Sequence, residues 1–187
     1  KYSFQPRLPG EVPEAVRKGF YIAETGRPGP VLLDIPKDVQ QNEAPMDFPD
    51  EFTIQGYHPW NDPDVASVQK AVDMLVNSER PIILAGGGTI ISSAFAELQS
   101  VAETLMIPVV TTFKGKGAFP ENHPLSLGPI GMHGHAEANK MMAEADCVLA
   151  IGTRFSDRSV GTFEAFEKRL KIIHMDVDPA EIGKNQT

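Results

Sequence analysis

Arg80-Pro81-Ile82-Ile83-Leu84-Ala85-Gly86-Gly87-Gly88, running on into Thr89-Ile90-Ile91-Ser92-Ser93, is the stretch on which the fold turns. Ile82 to Ala85 are apolar without a break, so they do not suit a strand with one wet face. They suit a central parallel strand covered on both sides. Three glycines then allow a tight turn and a close backbone approach. The helix expected next would aim free N–H groups and the positive end of its dipole at the same spot, as phosphate sites do. The dinucleotide fingerprint G-x-G-x-x-G is incomplete, because Ile91 stands at its third glycine. Taken alone, the turn therefore leaves both a plain strand–turn–helix and a nucleotide site open.

The rest of the 187 residues narrows the choice. A hydrophobic content of 41% allows a sizeable core, and the length suits one domain or one plus part of another. A net charge of -8 without a basic cluster argues against nucleic acid and anionic membranes as partners. No apolar run nears the ~20 residues that cross a bilayer. The first residues, Lys1-Tyr2-Ser3-Phe4-Gln5-Pro6, carry no hydrophobic signal region. Cys147 is the one cysteine, read as a buried strand residue, so a disulfide framework is excluded and a cytoplasmic location is expected. Sixteen Gly and sixteen Pro, mostly between apolar runs, are the punctuation of an α/β chain with many short loops.

In chain order the pattern predicts a helix over 11–25, a strand at 31–35 and a Pro/Asp/Asn-rich linker from about 40 to 63. The helix–turn–strand at the start has no room to complete a sheet of its own, so it is expected to be the tail (1–40) of a preceding domain, with 41–62 as linker. Phe48, Phe52, Ile54, Tyr57 and Trp60 are its expected anchors. From 63 on, strands are predicted at 81–85, 108–112, 147–151 and 171–177. Helices are expected from 63, capped by Asp62 or Asp64, over 92–105 and over 135–144, with another opening after 178. Val65, Val68, Ala71, Val72 and Leu75 form the apolar side of the first of these helices, and Phe95, Leu98, Val101, Ala102 and Leu105 that of the second. Residues 121–131 read as a long loop. The alternation implies a doubly wound parallel α/β sheet, Rossmann-like, with right-handed crossovers. Its unusual loops, 86–89, 112–117, 152–158 and 176–178, all fall at the carboxyl ends of strands, where such sheets bind ligands.

Several stretches, in order, resemble the thiamine-diphosphate enzymes of the acetolactate synthase type. Gly26-Arg27-Pro28-Gly29-Pro30-Val31-Leu32-Leu33-Asp34-Ile35-Pro36-Lys37-Asp38-Val39-Gln40 is similar to the end of their pyrimidine-binding domain. Residues 80–88, 112–120, Gly131-Met132-His133-Gly134, 152–158 and Asp176-Val177-Asp178-Pro179-Ala180-Glu181-Ile182-Gly183-Lys184 resemble successive motifs of the central domain. The resemblance implies an internal fragment, inactive alone and truncated within its central domain (63–187). The glutamate that activates the thiazolium would lie upstream, and the Gly-Asp-Gly…Asn motif for diphosphate and magnesium downstream. The full enzyme would decarboxylate pyruvate and join the two-carbon unit to a second 2-keto acid, in branched-chain amino-acid biosynthesis. It would work as a homodimer or tetramer, with a regulatory small subunit as a further partner.

By the same resemblance this domain holds FAD in a structural role. Arg27 and Gly86, Gly87 and Gly88 would meet the flavin nucleotide. Thr112, Phe113 and Lys114 would line it, with Met132 and His133. Gly152, Arg154 and Ser159 would continue the site, and Asp176 and Val177 would meet the adenosine end. Arg158 resembles an arginine that receives the carboxylate of the second keto acid. Two positions depart from the family pattern: Lys114, where Gln or Met is common, and Ser156, where Asp is common. Other readings of the same residues stay open. Gly115 and Gly117 suit a loop needing positive φ, and Asp176 suits a strand terminator. The spacing of His133 and His135 lacks a third metal ligand. A scaffold domain of another carboligase or decarboxylase, binding ADP or no nucleotide, is the alternative to the FAD reading.

Overall fold

A computed structural model describes residues 1–45, 47–59, 62–156 and 170–185. The chain divides into two compact units, Lys1–Asp62 and Pro63–Thr187.

In the first unit, β1 (Tyr2–Phe4) pairs in parallel with β2 (Val31–Leu33), and α1 (Val12–Glu24) connects them. The opening segment does therefore find a partner, contrary to the expectation of a lone helix and strand. Its three residues carry no strand-like run that the sequence pattern would pick out. A short helix, α2 (Lys37–Gln41), follows β2. The Pro-rich stretch after it is fastened to α1: Phe52 and Tyr57 meet the Tyr21 ring edge-on, with centroids 5.5 and 6.0 Å away. The Tyr57 hydroxyl donates to the Thr25 carbonyl at 2.9 Å.

The second unit is a five-stranded parallel sheet in the order β5-β4-β3-β6-β7. Its strands are β3 (Pro81–Ala85), β4 (Val109–Thr111), β5 (Ser126–Pro129), β6 (Cys147–Ile151) and β7 (Lys171–Met175). Helices α3 (Val65–Val76), α4 (Gly87–Ile91), α5 (Phe95–Leu105) and α6 (Ala136–Glu144) accompany them. Successive residues of a strand point to opposite faces, and both faces of this sheet are covered. Ile83, Ala85, Val109 and Leu149 pack with Leu75 of α3 and Leu98 and Ala102 of α5. Ile82, Leu84, Val110, Val148 and Ala150 pack with Ala138 and Met142 of α6. That two-sided burial is why the central strands read as unbroken apolar runs.

Several boundaries differ from the pattern. Residues 126–129, expected as loop, form edge strand β5; Gly128 and Pro129 hide it, yet an edge position tolerates both. The helix expected over 92–105 is α5, which begins at Phe95; Ser93, at φ 57, separates it from the short α4 that follows the glycine turn. β4 and β7 are shorter than 108–112 and 171–177, and the residues after 178 form turns. Asp64 is the α3 cap, accepting from the amides of Ala66 and Ser67 at 3.3 and 3.0 Å. Each helix buries a narrower stripe than its apolar content offers. Leu75 is buried in α3 while Val65, Val68, Val72 and Val76 are exposed; in α5 Leu98 and Ala102 are buried, and Phe95, Val101 and Leu105 are not.

Asp146, just ahead of β6, clamps the start of β3 by accepting from the amides of Glu79 and Arg80, both at 2.9 Å. Desolvation pushes its carboxyl pKa up. The two amides, with the Lys171 charge behind them, outweigh that push and hold it below the ordinary value. A depressed folded-state pKa contributes stability that is complete above the unfolded value of about 4 and is lost as pH falls through the folded one. Asp146→Asn is therefore expected to flatten the acid limb of stability. Denaturation midpoints of variant and parent should differ near neutrality and converge below about pH 4. Cys147, beside it, is fully buried, and burial raises its thiol pKa; it remains a neutral packing residue.

Candidate functional site

The strand order places the first strand of the sheet, β3, between β4 and β6. The chain runs outward from β3 through β4 to β5, then crosses back to lay β6 on the other side of β3. In open parallel sheets such a reversal opens a crevice at the carboxyl edge, and ligands bind there. Five loops leave that edge, beginning at residues 86, 112, 130, 152 and 176. The loop after β5 joins the four expected ones because β5 is a strand.

The loops after β3, β4 and β6 are packed backbone on backbone. The Gly86 amide donates to the Ile151 carbonyl at 2.8 Å, and the Gly88 amide to the Gly152 carbonyl at 2.9 Å. A Cβ on Gly86 would sit 2.7 Å from the Gly152 carbonyl carbon and 2.8 Å from Thr153 Cα. One on Gly88 would sit 2.5 Å from Gly152 Cα, and one on Gly115 would run into the Ala85 carbonyl. Gly152 itself has φ 58. The amides of Gly86 and Gly88 are thus spent on β6 and its loop rather than left for an anion, as the turn alone had suggested. α4, at five residues, offers no full-length helix dipole. Thr89 is fully buried beneath the turn, and Thr112 Oγ1 accepts from the Gly115 amide at 3.0 Å.

Above this sealed floor the loops present side chains outward. Phe113 is 84% and Met132 85% exposed, the most of any large apolar side chains among the described residues. Lys114, His133 and Arg154 are exposed as well, and Val177 is about half so. Among the described residues, neither Lys114 nor Arg154 forms an ion pair. Lys114 Cβ lies 3.2 Å from where a Cβ on Gly87 would stand, so the loops after β3 and β4 adjoin. Asp176, half-buried, gives one carboxylate oxygen to the Asp178 amide at 2.9 Å. The remaining expected positions fall elsewhere: Arg27 lies in the first unit, in the turn after α1 where Gly26 has φ 58, and is described with that unit alone. Arg158 and Ser159 lie outside the described residues.

Residues that carry no motif hold these loops in shape. Asn139 on α6 brackets Gly131, accepting from its amide at 2.9 Å and donating to its carbonyl at 3.1 Å, ahead of Met132 and His133. His135 faces the Leu127 carbonyl through Nδ1 at 3.3 Å, which gives it a structural task. Among the described residues no three His, Cys, Asp or Glu side chains gather as a metal site, and no helix is long and apolar enough to cross a membrane. After β6, Thr153 and Phe155 turn inward and Arg154 turns out. His174 and Asn185 fasten the carbonyls of Thr153 and Arg154, both at 2.8 Å. The only sequence signal for His174 was a polar residue inside an apolar strand.

The unit is thus, by fold, a doubly wound α/β domain whose strand order reverses at β3. Residues 68–187 match the family described as "Thiamine pyrophosphate enzyme, central domain". The chain belongs to that family. Over 188 residues it is 51% identical to a "Probable acetolactate synthase large subunit" of Methanocaldococcus jannaschii, covering 99% of this chain and 32% of the relative. It is 44% identical to an "Acetolactate synthase large subunit" of Corynebacterium glutamicum, covering 98% of this chain and 29% of that protein. It is 43% identical to an "Acetolactate synthase" of Arthrospira platensis, with 100% and 33% covered. The chain spans about a third of the length of these relatives.

Proposed function

We propose that the chain is part of an acetolactate synthase large subunit and that its central unit binds FAD along the carboxyl edge of the sheet. The observation that carries the cofactor reading is the pairing of chemistry on that edge. Phe113 and Met132 stand almost wholly exposed, and Lys114 and Arg154 are cations without an ion-pair partner among the described residues. A flavin needs flat apolar contacts for its ring and cations for its diphosphate. The second oxygen of Asp176 suits ribose hydroxyls, and Val177 the adenine. Because the Gly86–Gly152 contact closes the floor, the nucleotide would lie over the glycine turn and not sink into it. Gly87, Thr112 and His133 are assigned to its border, and Arg27 and Ser159 join them by family resemblance alone. Arg158 is assigned on the same ground to the carboxylate of the second keto acid.

In this reading 1–40 is the tail of a pyrimidine-binding domain, 41–62 a linker and 63–187 the central domain. Thiamine diphosphate with magnesium, held by parts of the protein outside this chain, supplies the nucleophilic carbon and the electron sink for decarboxylation. The part played by these residues is to bind and orient, in a cytoplasmic homodimer or tetramer that makes precursors of branched-chain amino acids. The activity is tested on the full-length protein supplied with thiamine diphosphate, magnesium and pyruvate. Two pyruvates should give one acetolactate and one CO2, read by mass spectrometry. Consumption of pyruvate without a five-carbon product, or turnover only on another 2-keto acid, would move the protein to a different branch of the family.

A further inference from the structure

We propose that His174 is a positioning residue for Arg154, acting through the backbone of the loop after β6. It lies in β7, two residues before Asp176, and its Nε2 is 2.8 Å from the Thr153 carbonyl. A carbonyl only accepts, so Nε2 carries the proton in this contact. The Phe155 ring meets the imidazole edge-on, with centroids 5.1 Å apart and planes at 80°. These two contacts seize the residues on either side of Arg154.

The loop needs such a hold. Gly152 has φ 58 and Phe155 φ 48; the second is a left-handed backbone in a bulky residue, which persists only where the surroundings fix it. Phe155 is 3% and Thr153 4% exposed, while Arg154 between them is exposed. The Phe155 amide reaches Thr153 Oγ1 at 3.4 Å, and Asn185 Nδ2 donates to the Arg154 carbonyl at 2.8 Å. The Gly152 amide donates to the Met175 carbonyl at 2.8 Å, next to His174. The residue that projects the guanidinium is therefore tied to β7 on both sides, and His174 supplies the side-chain tie.

The test compares His174→Leu with His174→Gln in the full-length protein; the Gln amide places a donor near the Nε2 position. Hydrogen exchange read by mass spectrometry over residues 151–156 should speed up in the Leu variant. It should return toward the parent rate in the Gln variant, with β3 exchange unchanged in both. In a titration with FAD as the probe, the Leu variant should bind about five- to tenfold more weakly, the worth of one hydrogen bond. Adding it to Arg154→Ala should weaken binding no further, since both act on one group. The FAD arm rests on the cofactor reading, whereas the exchange arm does not. If the parent fails to bind FAD, the exchange result alone decides. Unchanged exchange over 151–156 in the Leu variant, or no recovery with Gln, overturns the role of His174.

Discussion

Replacing Gly86 with alanine is expected to destabilise the central unit by about 3 kcal/mol or more, one of the larger effects a single methyl can have. The backbone at Gly86 has φ -100 and ψ -176, which any residue adopts, so none of the cost is conformational. All of it comes from the neighbour. The new Cβ would stand 2.7 Å from the carbonyl carbon of Gly152 and 2.8 Å from Thr153 Cα, and a backbone cannot swing aside as a side chain does. Gly117→Ala is the control. It has φ 90 and nothing within 4 Å, so it should cost only the left-handed strain, roughly 1 kcal/mol. Hydrogen exchange of the β3 and β6 amides in the intact protein measures both. Equal small losses would mean that Gly86 is not there for packing between loops.

Arg154→Ala is expected to weaken FAD binding about thirtyfold, roughly 2 kcal/mol, the scale of a hydrogen bond to a charged group. The loss should be sharp because the guanidinium is held out by a fastened loop and has no competing ion pair among the described residues. Arg154→Lys should recover only part of the affinity, since an ammonium keeps the charge but not the planar fork that matches two phosphate oxygens. Flavin fluorescence titrations of the full-length protein separate the three. An unchanged dissociation constant for the alanine variant would remove Arg154 from the site.

The central strands were legible because burial on both faces leaves a simple mark: Ile82 to Ala85 and Cys147 to Ile151 are apolar without alternation. Edge strands leave no such mark. Ser126-Leu127-Gly128-Pro129 and Tyr2-Ser3-Phe4 are strands because of the neighbours they pair with, and pairing is set by the fold and not by local propensity. The same limit applied to the glycines. The sequence shows that no Cβ is wanted at Gly86, but not whether a ligand or the Gly152 backbone fills the space. The exposed residues of the edge, Phe113, Lys114, Met132 and Arg154, could be named because the loops that carry them resemble motifs of the family. Their supports, His174, Asn139 and Asn185, could not, since each acts through backbone groups brought close only by folding.

The most direct test of the central claim is the visible absorption of the full-length protein as isolated, with mass analysis of the nucleotide released on denaturation. Flavin bands and a released mass matching FAD, near one per chain, are the expected result. A colourless protein releasing ADP, or no nucleotide, would contradict the assignment of the Phe113–Met132–Arg154 edge to a flavin while leaving the sheet and its family unchanged.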